Sequence, residues 1–424
     1  MNLKRVVVTG LGALTPIGNN VKAYWEALET GKNGAGPVTR FDAQHFRTKF
    51  ACEIKDYDLH QLLDIDKKEA RKMDPFAHYA LIASEEAMQD SGLLQNRIVD
   101  PSLNLDKAGV IWGSGIGGIQ TFQEEVLGFA ASNRIPRFNP FFIPKMISDI
   151  APGHISMRYG FRGMNFLTVS ACASSGNAIV DSFNYIRLGK ANVIITGGSE
   201  YPITEAGMGG FNACRAMSER NDSPFTASRP FDKERDGFVL GEGAGALILE
   251  ELEHAKARGA KIYGEVIGGG LSADAYHVTA PRPDGMGIQL VMLDALSDNQ
   301  TPITDIDYIN VHGTSTPLGD IGEVNAIIKV FGEHAFKLNI SSTKSMTGHL
   351  LGAAGAIEAI ACVFALEKQM IPPTINHFVD DEEFDKRLNL TFNVAQKRKV
   401  ETVLSNTFGF GGHNCSVLMR KYNG

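Results

Sequence analysis

Residues 165–188 read NFLTVSACASSGNAIVDSFNYIRL, and residues 338–366 read LNISSTKSMTGHLLGAAGAIEAIACVFAL. Each opens with a short apolar run, passes through small polar residues, and continues with apolar residues at helical spacing. The first predicts a strand over Asn165–Val169 feeding a helix over roughly Ala173 to Leu188. The second predicts a strand over Leu338–Ser342 feeding a helix over Leu350–Leu366. Working outward, the neighbours recur in the same order. Strand Arg5–Gly12, helix His78–Ser91 and strand Ala108–Gly113 precede the first unit, and strand Ala191–Gly197 follows it. Strand Lys261–Gly270, helix Ile288–Leu296 and strand Ile306–His312 precede the second, and strand Val400–Asn406 follows it. Short apolar strands alternating with helices predict an α/β protein with parallel pairing. The recurrence predicts two similar halves, 1–260 and 261–424, related by a pseudo-twofold, with a site where they meet. A chance match of two coarse α/β patterns is the competing reading.

Composition narrows the function. Of 424 residues, 43% are hydrophobic and 21% charged, an ordinary globular balance. Lys plus Arg is 41 and Asp plus Glu is 48, so the net charge of −7 argues against nucleic acid as the main partner. The 45 glycines accompany only 17 prolines and no repeat period, so they serve tight turns and close backbone approaches. No apolar run reaches membrane-spanning length, since Ala353–Leu366 is broken by Glu358. The opening MNLKRVVVTG is too short in its apolar part for a signal peptide and reads as a first strand. Five cysteines without a C-x-x-C pair disfavour a disulfide framework or zinc site and point to a reducing cytoplasm. The segments 113–163 and 200–237, rich in Pro, Gly, Asn and Ser, read as long irregular insertions covering a site or an interface.

Two motifs mislead. Gly113–Gly118, GSGIGG, matches the dinucleotide fingerprint after a strand. The acidic residue expected about 20 positions on is replaced by NRIPR, so the motif reads as a tight turn. Ser341–Lys344, SSTK, matches a serine-nucleophile pattern whose companion motifs are missing.

The chemistry-bearing residues lie at strand ends. Cys172, in SACASSG, stands where a strand gives way to a helix. The helix terminus there should lower the thiol pKa and leave backbone N–H groups free to hold an oxyanion. A small buried structural thiol is the alternative. His312, in NVHGTSTPLGD, follows another strand, and the run after it reads as a loop. His349, in TKSMTGH, lies just ahead of an apolar helix. Each histidine alone reads more readily as a hydrogen-bonded structural imidazole. Phe408 and Phe410 sit in the glycine-rich turn SNTFGFGGHN.

Taken together and in this order, Ala171-Cys172-Ala173, HGTSTP from His312, KSMTGH ending at His349 and GFGG at Gly409–Gly412 resemble the β-ketoacyl-acyl-carrier-protein synthases. The resemblance spans the whole chain, including RPFDKERDGFVLGEGAG at Arg229–Gly245, and is nearest the bacterial type II enzymes. It departs at His413, where Thr is expected, and at Val311, where Ala is usual. The resemblance implies the thiolase fold: two βαβαβαββ halves in five layers, α-β-α-β-α, assembled as a homodimer.

It also implies an acyltransferase of fatty-acid biosynthesis performing a decarboxylative Claisen condensation. Cys172 would carry the acyl chain, His312 and His349 would hydrogen-bond the malonyl thioester, and the N–H groups of Cys172 and Phe410 would form the oxyanion hole. Phe408 would line the malonyl path and Phe410 gate the cysteine. Lys344, Glu358 and Asp320 would support the site, with Lys344 and Glu358 paired. Ile116, Gly207 and Phe211 would line the acyl tunnel. No intrinsic cofactor is implied; the phosphopantetheine arm belongs to the acyl carrier protein. That acidic partner would dock on Lys67, Lys68, Arg71 and Lys72, with Arg137 and Arg215. Asn310, Glu358, Ser405 and Asn406 would hold a structural monovalent cation. A polyketide-pathway ketosynthase and a non-catalytic partner subunit (a chain-length factor) are the rival readings. A degradative thiolase is disfavoured by the two histidines, and a chain-length factor by the presence of Cys172.

Overall fold

The computed structural model describes residues 3–424; Met1 and Asn2, part of the run weighed as a leader, lie outside the described residues. Ten strands form one sheet. They are β1 Val6–Leu14, β2 Ala108–Gly113, β3 Asn165–Thr168, β4 Val193–Glu200, β5 Gly243–Glu251, β6 Gly264–Ala273, β7 Tyr308–Asn310, β8 Asn339–Ser341, β9 Thr402–Gly409 and β10 His413–Arg420. Their order across the sheet is β8-β7-β9-β10-β6-β1-β5-β4-β2-β3. Adding five to each strand number of the first half gives the second half, so the duplication read from the sequence is literal in the topology. The halves join where β1 runs antiparallel to β6 through three residue pairs, Val6–Val266, Val7–Glu265 and Val8–Gly264.

Within this sheet, parallel pairing is confined to its two ends, β2 with β3 and β4, and β7 with β8 and β9. The remaining pairs are antiparallel, through β5 and β10, two strands that the repeated pattern did not contain. All nine residues of β1 are buried, consistent with its Val-rich run.

Six helices matter for the site: α1 Pro75–Asp90, α2 Ile119–Ala131, α3 Ser174–Arg187, α4 Met286–Ser297, α5 Pro317–Phe331 and α6 Ala354–Lys368. α1 covers β1 and β5 on one outer side, and α4 covers β6 and β10 on the other. α3 and α6 lie between the half-sheets, each touching strands of both, which completes the five layers. α6 is buried from Ala354 to Leu366. It crosses α3 at backbone contact, since a Cβ on Gly355 would lie 2.9 Å from the Gly176 nitrogen. The largest apolar cluster fills this middle layer.

The 113–163 insertion is less irregular than its prolines suggest: it holds α2 and the helices Phe142–Met146 and Ile150–Tyr159. Likewise, the run after His312 becomes helical at Pro317, where proline suits the first turn of α5.

Candidate active site

Cys172 sits in a single 3₁₀ turn, Ala171–Ala173, between β3 and α3. Ala171 adopts φ +50°, which turns the chain sharply and aims the thiol into a cavity. The second half repeats the device ahead of α6: the turn Leu351–Ala353 begins with Leu351 at φ +47°. Gly352 therefore occupies the place that corresponds to Cys172. His349, just before that turn, is held by its own backbone, its N–H donating to Val239 O at 2.7 Å and its carbonyl accepting from Gly241 N–H at 2.9 Å. This brings His349 Nε2 to 3.0 Å from Cys172 Sγ.

His312 follows β7, and its ring meets that of His349 edge-on at 5.3 Å. Glu323 on α5, a residue the sequence reading missed, fixes it. Its carboxylate accepts from the N–H groups of His312 at 3.0 Å and Gly313 at 2.9 Å. Only knowledge that the helix begins at Pro317 would have turned Glu323 inward. Phe238, also missed, stacks edge-on against His349 at 5.4 Å and against Phe211 at 5.6 Å. With Phe408 at 5.6 Å from His312, the rings form an unbroken line from Phe211 to Phe408.

Burial dominates the electrostatics. It pushes the Cys172 thiol up to about 12, against the opposing pull of Lys344 and of the N–H groups of Phe410 and Cys172 itself. The expectation that the helix terminus lowers this pKa is thus corrected: loss of water outweighs the local dipoles. Both imidazoles are held well below their usual range by burial and then by Lys344, so they are neutral at neutral pH. Lys344 forms a buried ion pair with Glu358. Burial raises the Glu358 carboxyl to about 7 against the attraction of Lys344. Asp320 is buried too, but its carboxylate accepts from the N–H groups of Phe231 and Ser315 and faces Arg235. It ties the segment that follows His312 to the loop around Arg229–Arg235.

A cavity of about 320 Å³ opens over these groups, lined by Cys172, His312, His349, Phe408, Phe410 and Phe211. Gly409 lets the end of β9 close on the cysteine, because a Cβ there would lie 3.0 Å from the Cys172 nitrogen. Ile116 and Phe211 pack on the apolar cluster that contains Cys172. Gly207 does not present a side-chain position to it: a Cβ there would lie 2.1 Å from Pro202 O, so this expected lining residue packs backbone on backbone.

Asn310 pairs with Ser405 across β7 and β9. The Cys362 thiol lies against both and feels Glu358. Asn310 Oδ1 and Glu358 Oε2 are buried without a partner, whereas Asn406 Oδ1 accepts from Ser416 Oγ at 2.7 Å. Two orphaned oxygens in an all-oxygen set fit a hard cation. Lys67, Lys68 and Arg71 are exposed around the short helix Lys67–Ala70, and Lys72 pairs with Glu69 at 2.7 Å. Lys67 and Arg71 line a groove with Lys145, a cation outside the predicted cluster. Arg137 is exposed in a loop after α2, and Arg215 stands at the mouth of the cysteine cavity. Among the described residues no helix is long and apolar enough to cross a membrane.

The chain resembles proteins of known activity along its full length. A 3-oxoacyl-[acyl-carrier-protein] synthase 2 from Synechocystis is 49% identical, over 99% of this chain and 98% of that one. Its counterpart from Staphylococcus aureus is 46% identical, over 99% of both. Among solved structures, a type II polyketide ketosynthase in complex with its acyl-carrier protein superposes with a TM-score of 0.89 at 33% identity, over 99% of this chain and all of that one. Residues 3–255 match the beta-ketoacyl synthase N-terminal domain and residues 263–378 the C-terminal domain. Both matches together span the residues that deliver the thiol and the two imidazoles to one cavity, and the chain belongs to the beta-ketoacyl synthases.

Proposed function

We propose that this chain is a 3-oxoacyl-[acyl-carrier-protein] synthase that lengthens fatty acyl chains by two carbons through decarboxylative Claisen condensation. The observation that carries the reading is the approach of His349 Nε2 to Cys172 Sγ, with the His312 ring beside it. In the first half-reaction the sulfur attacks the acyl thioester. Its proton ends on the departing pantetheine thiol, while His349, a neutral Nε2–H donor beside the sulfur, stabilises the attacking anion. The N–H groups of Cys172 and Phe410 receive the developing oxyanion, each such donor being worth about 3 kcal/mol.

In the second half-reaction malonyl carrier protein enters. The C–C bond to its carboxylate breaks, CO2 departs, and the electron pair becomes an enolate. His312 and His349, as neutral Nε2–H donors, stabilise the enolate oxygen. The enolate carbon then attacks the acyl-cysteine, and the sulfur leaves. Phe408 lines the malonyl carboxylate path and Phe410 gates the cysteine. Lys344 and Glu358 keep the ground around His349 fixed, and Lys344 holds the imidazoles neutral. Asn310, Glu358, Ser405 and Asn406 would hold a monovalent cation, whose contribution is to neutralise buried oxygen.

The acyl tail runs toward Ile116 and Phe211. The carrier protein, bearing the phosphopantetheine arm, docks on Lys67, Lys68, Arg71 and Lys72 with Arg137 and Arg215. The working form is a cytoplasmic homodimer. Support comes from α2, in which Thr121 is the only buried residue, and from the exposed Phe122, Leu127, Phe138 and Ile143 nearby. Sedimentation should give twice the chain mass. The higher identity to the synthase 2 enzymes than to the polyketide ketosynthase favours fatty acyl substrates. Incubation with acyl and malonyl carrier proteins should yield CO2 and a 3-oxoacyl product two carbons longer. Product formation by Cys172→Ser at the wild-type rate would refute the reading.

A further inference from the structure

Glu200, the last residue of β4, is fully buried, and no lysine, arginine or histidine forms an ion pair with it among the described residues. Its hydrogen-bond partners are all donors. Oε1 accepts from Ser114 Oγ at 2.6 Å and from the Ile116 N–H at 3.1 Å, and Oε2 accepts from the Gly352 N–H at 3.2 Å. Ser114 Oγ in turn accepts from the Gly117 N–H at 3.2 Å. Burial raises the Glu200 carboxyl above the usual carboxylate range, and the ring of donors pulls against that rise.

The glycine-rich GSGIGG turn finds its meaning here. A loop of this kind gathers backbone N–H groups around an anion. In this chain the acceptor is internal, the Glu200 carboxyl group. The fit is close: a Cβ on Gly115 would lie 2.9 Å from Glu200 Oε2, and one on Gly352 would lie 2.4 Å from the Gly115 nitrogen. Glu200 thus clamps two turns together. One carries Ile116, which packs on the apolar cluster containing Cys172, and the other is the second-half counterpart of the cysteine turn.

We propose that Glu200 is a positioning residue that determines acyl-chain specificity, by fixing Ile116 against the chamber and locking that wall to the Gly352 turn. This rests on the reading of the apolar space beside Cys172 as the acyl chamber. Glu200→Gln keeps the volume but turns an amide donor toward one of the N–H groups, so the wall loosens. Ser114→Ala removes one donor to the carboxyl group and the acceptor of the Gly117 N–H, and leaves the carboxyl group in place.

The test compares kcat/KM for octanoyl and palmitoyl carrier proteins in both variants, with Ile116→Phe as the control. The ratio between the two chain lengths should shift roughly tenfold in Glu200→Gln, the scale on which a methylene-sized change in a pocket discriminates. It should shift in the same direction, by less, in Ser114→Ala, which decides the matter if Glu200→Gln fails to fold. An equal fall at both chain lengths, while Ile116→Phe still changes the ratio, would overturn the role of Glu200. If Ile116→Phe also left the ratio unchanged, the chamber itself would be wrongly assigned.

Discussion

At the scale of single residues, the site works by exclusion of water more than by charge. Its two imidazoles remain neutral because burial and Lys344 both disfavour the proton. A folded-state pKa held below the unfolded value gives stability that is full above about pH 6.5 and is lost as the pH falls, because the unfolded chain takes up the proton first. The difference in melting temperature between wild type and His349→Asn should therefore move against the wild type between pH 7.5 and 5.5. A difference that stays constant or moves toward the wild type would contradict the neutral imidazole. Lys344 and Glu358 give a second prediction. Lys344→Ala strands a buried carboxylate and should cost about 3 kcal/mol in unfolding experiments. Lys344→Met with Glu358→Leu should recover much of that stability without recovering condensation. Full activity in the double variant would make the pair merely structural.

At the scale of elements, the protein uses one device twice: a strand, a turn with a left-handed residue, and a buried helix. In the first half the turn carries Cys172, and in the second it carries Gly352 with His349 just ahead of it. This was legible because the two units differ little in apolar spacing, and because Cys172, His312 and His349 all stand in segments that follow a strand. What was not legible depended on tertiary contact. β5 and β10 follow glycine-rich runs whose strand character comes from neighbours, as does the inward turn of Glu323 on α5 and of Glu200 on β4. The thiol pKa was misjudged because the local dipole is readable from the sequence and the depth of burial is not. The chamber wall belongs to this scale too. Ile116→Phe should reduce turnover of long acyl chains by roughly tenfold or more while sparing short ones, in a condensation assay across chain lengths. Equal loss at all lengths would remove Ile116 from the wall.

At the scale of the whole molecule, two half-sheets joined through three residue pairs must hold Cys172 and both histidines in register across the buried crossing of α3 and α6. Outside that core, Lys68 and Arg71 are exposed on a protein of net charge −7, and they test the proposed docking of the carrier protein. Reversing both to Glu should raise KM for the carrier protein at least about tenfold, with kcat little changed and the effect fading at high salt. An unchanged KM would move the docking surface elsewhere. The central claim, that one sulfur takes the acyl group and two imidazoles then drive its condensation, is tested most directly by intact-protein mass spectrometry. After incubation with palmitoyl carrier protein, the wild type should gain one acyl mass that maps to Cys172, is absent from Cys172→Ser, and is discharged with CO2 release when malonyl carrier protein is added. An adduct on another residue, or one that malonyl carrier protein leaves in place, would contradict it.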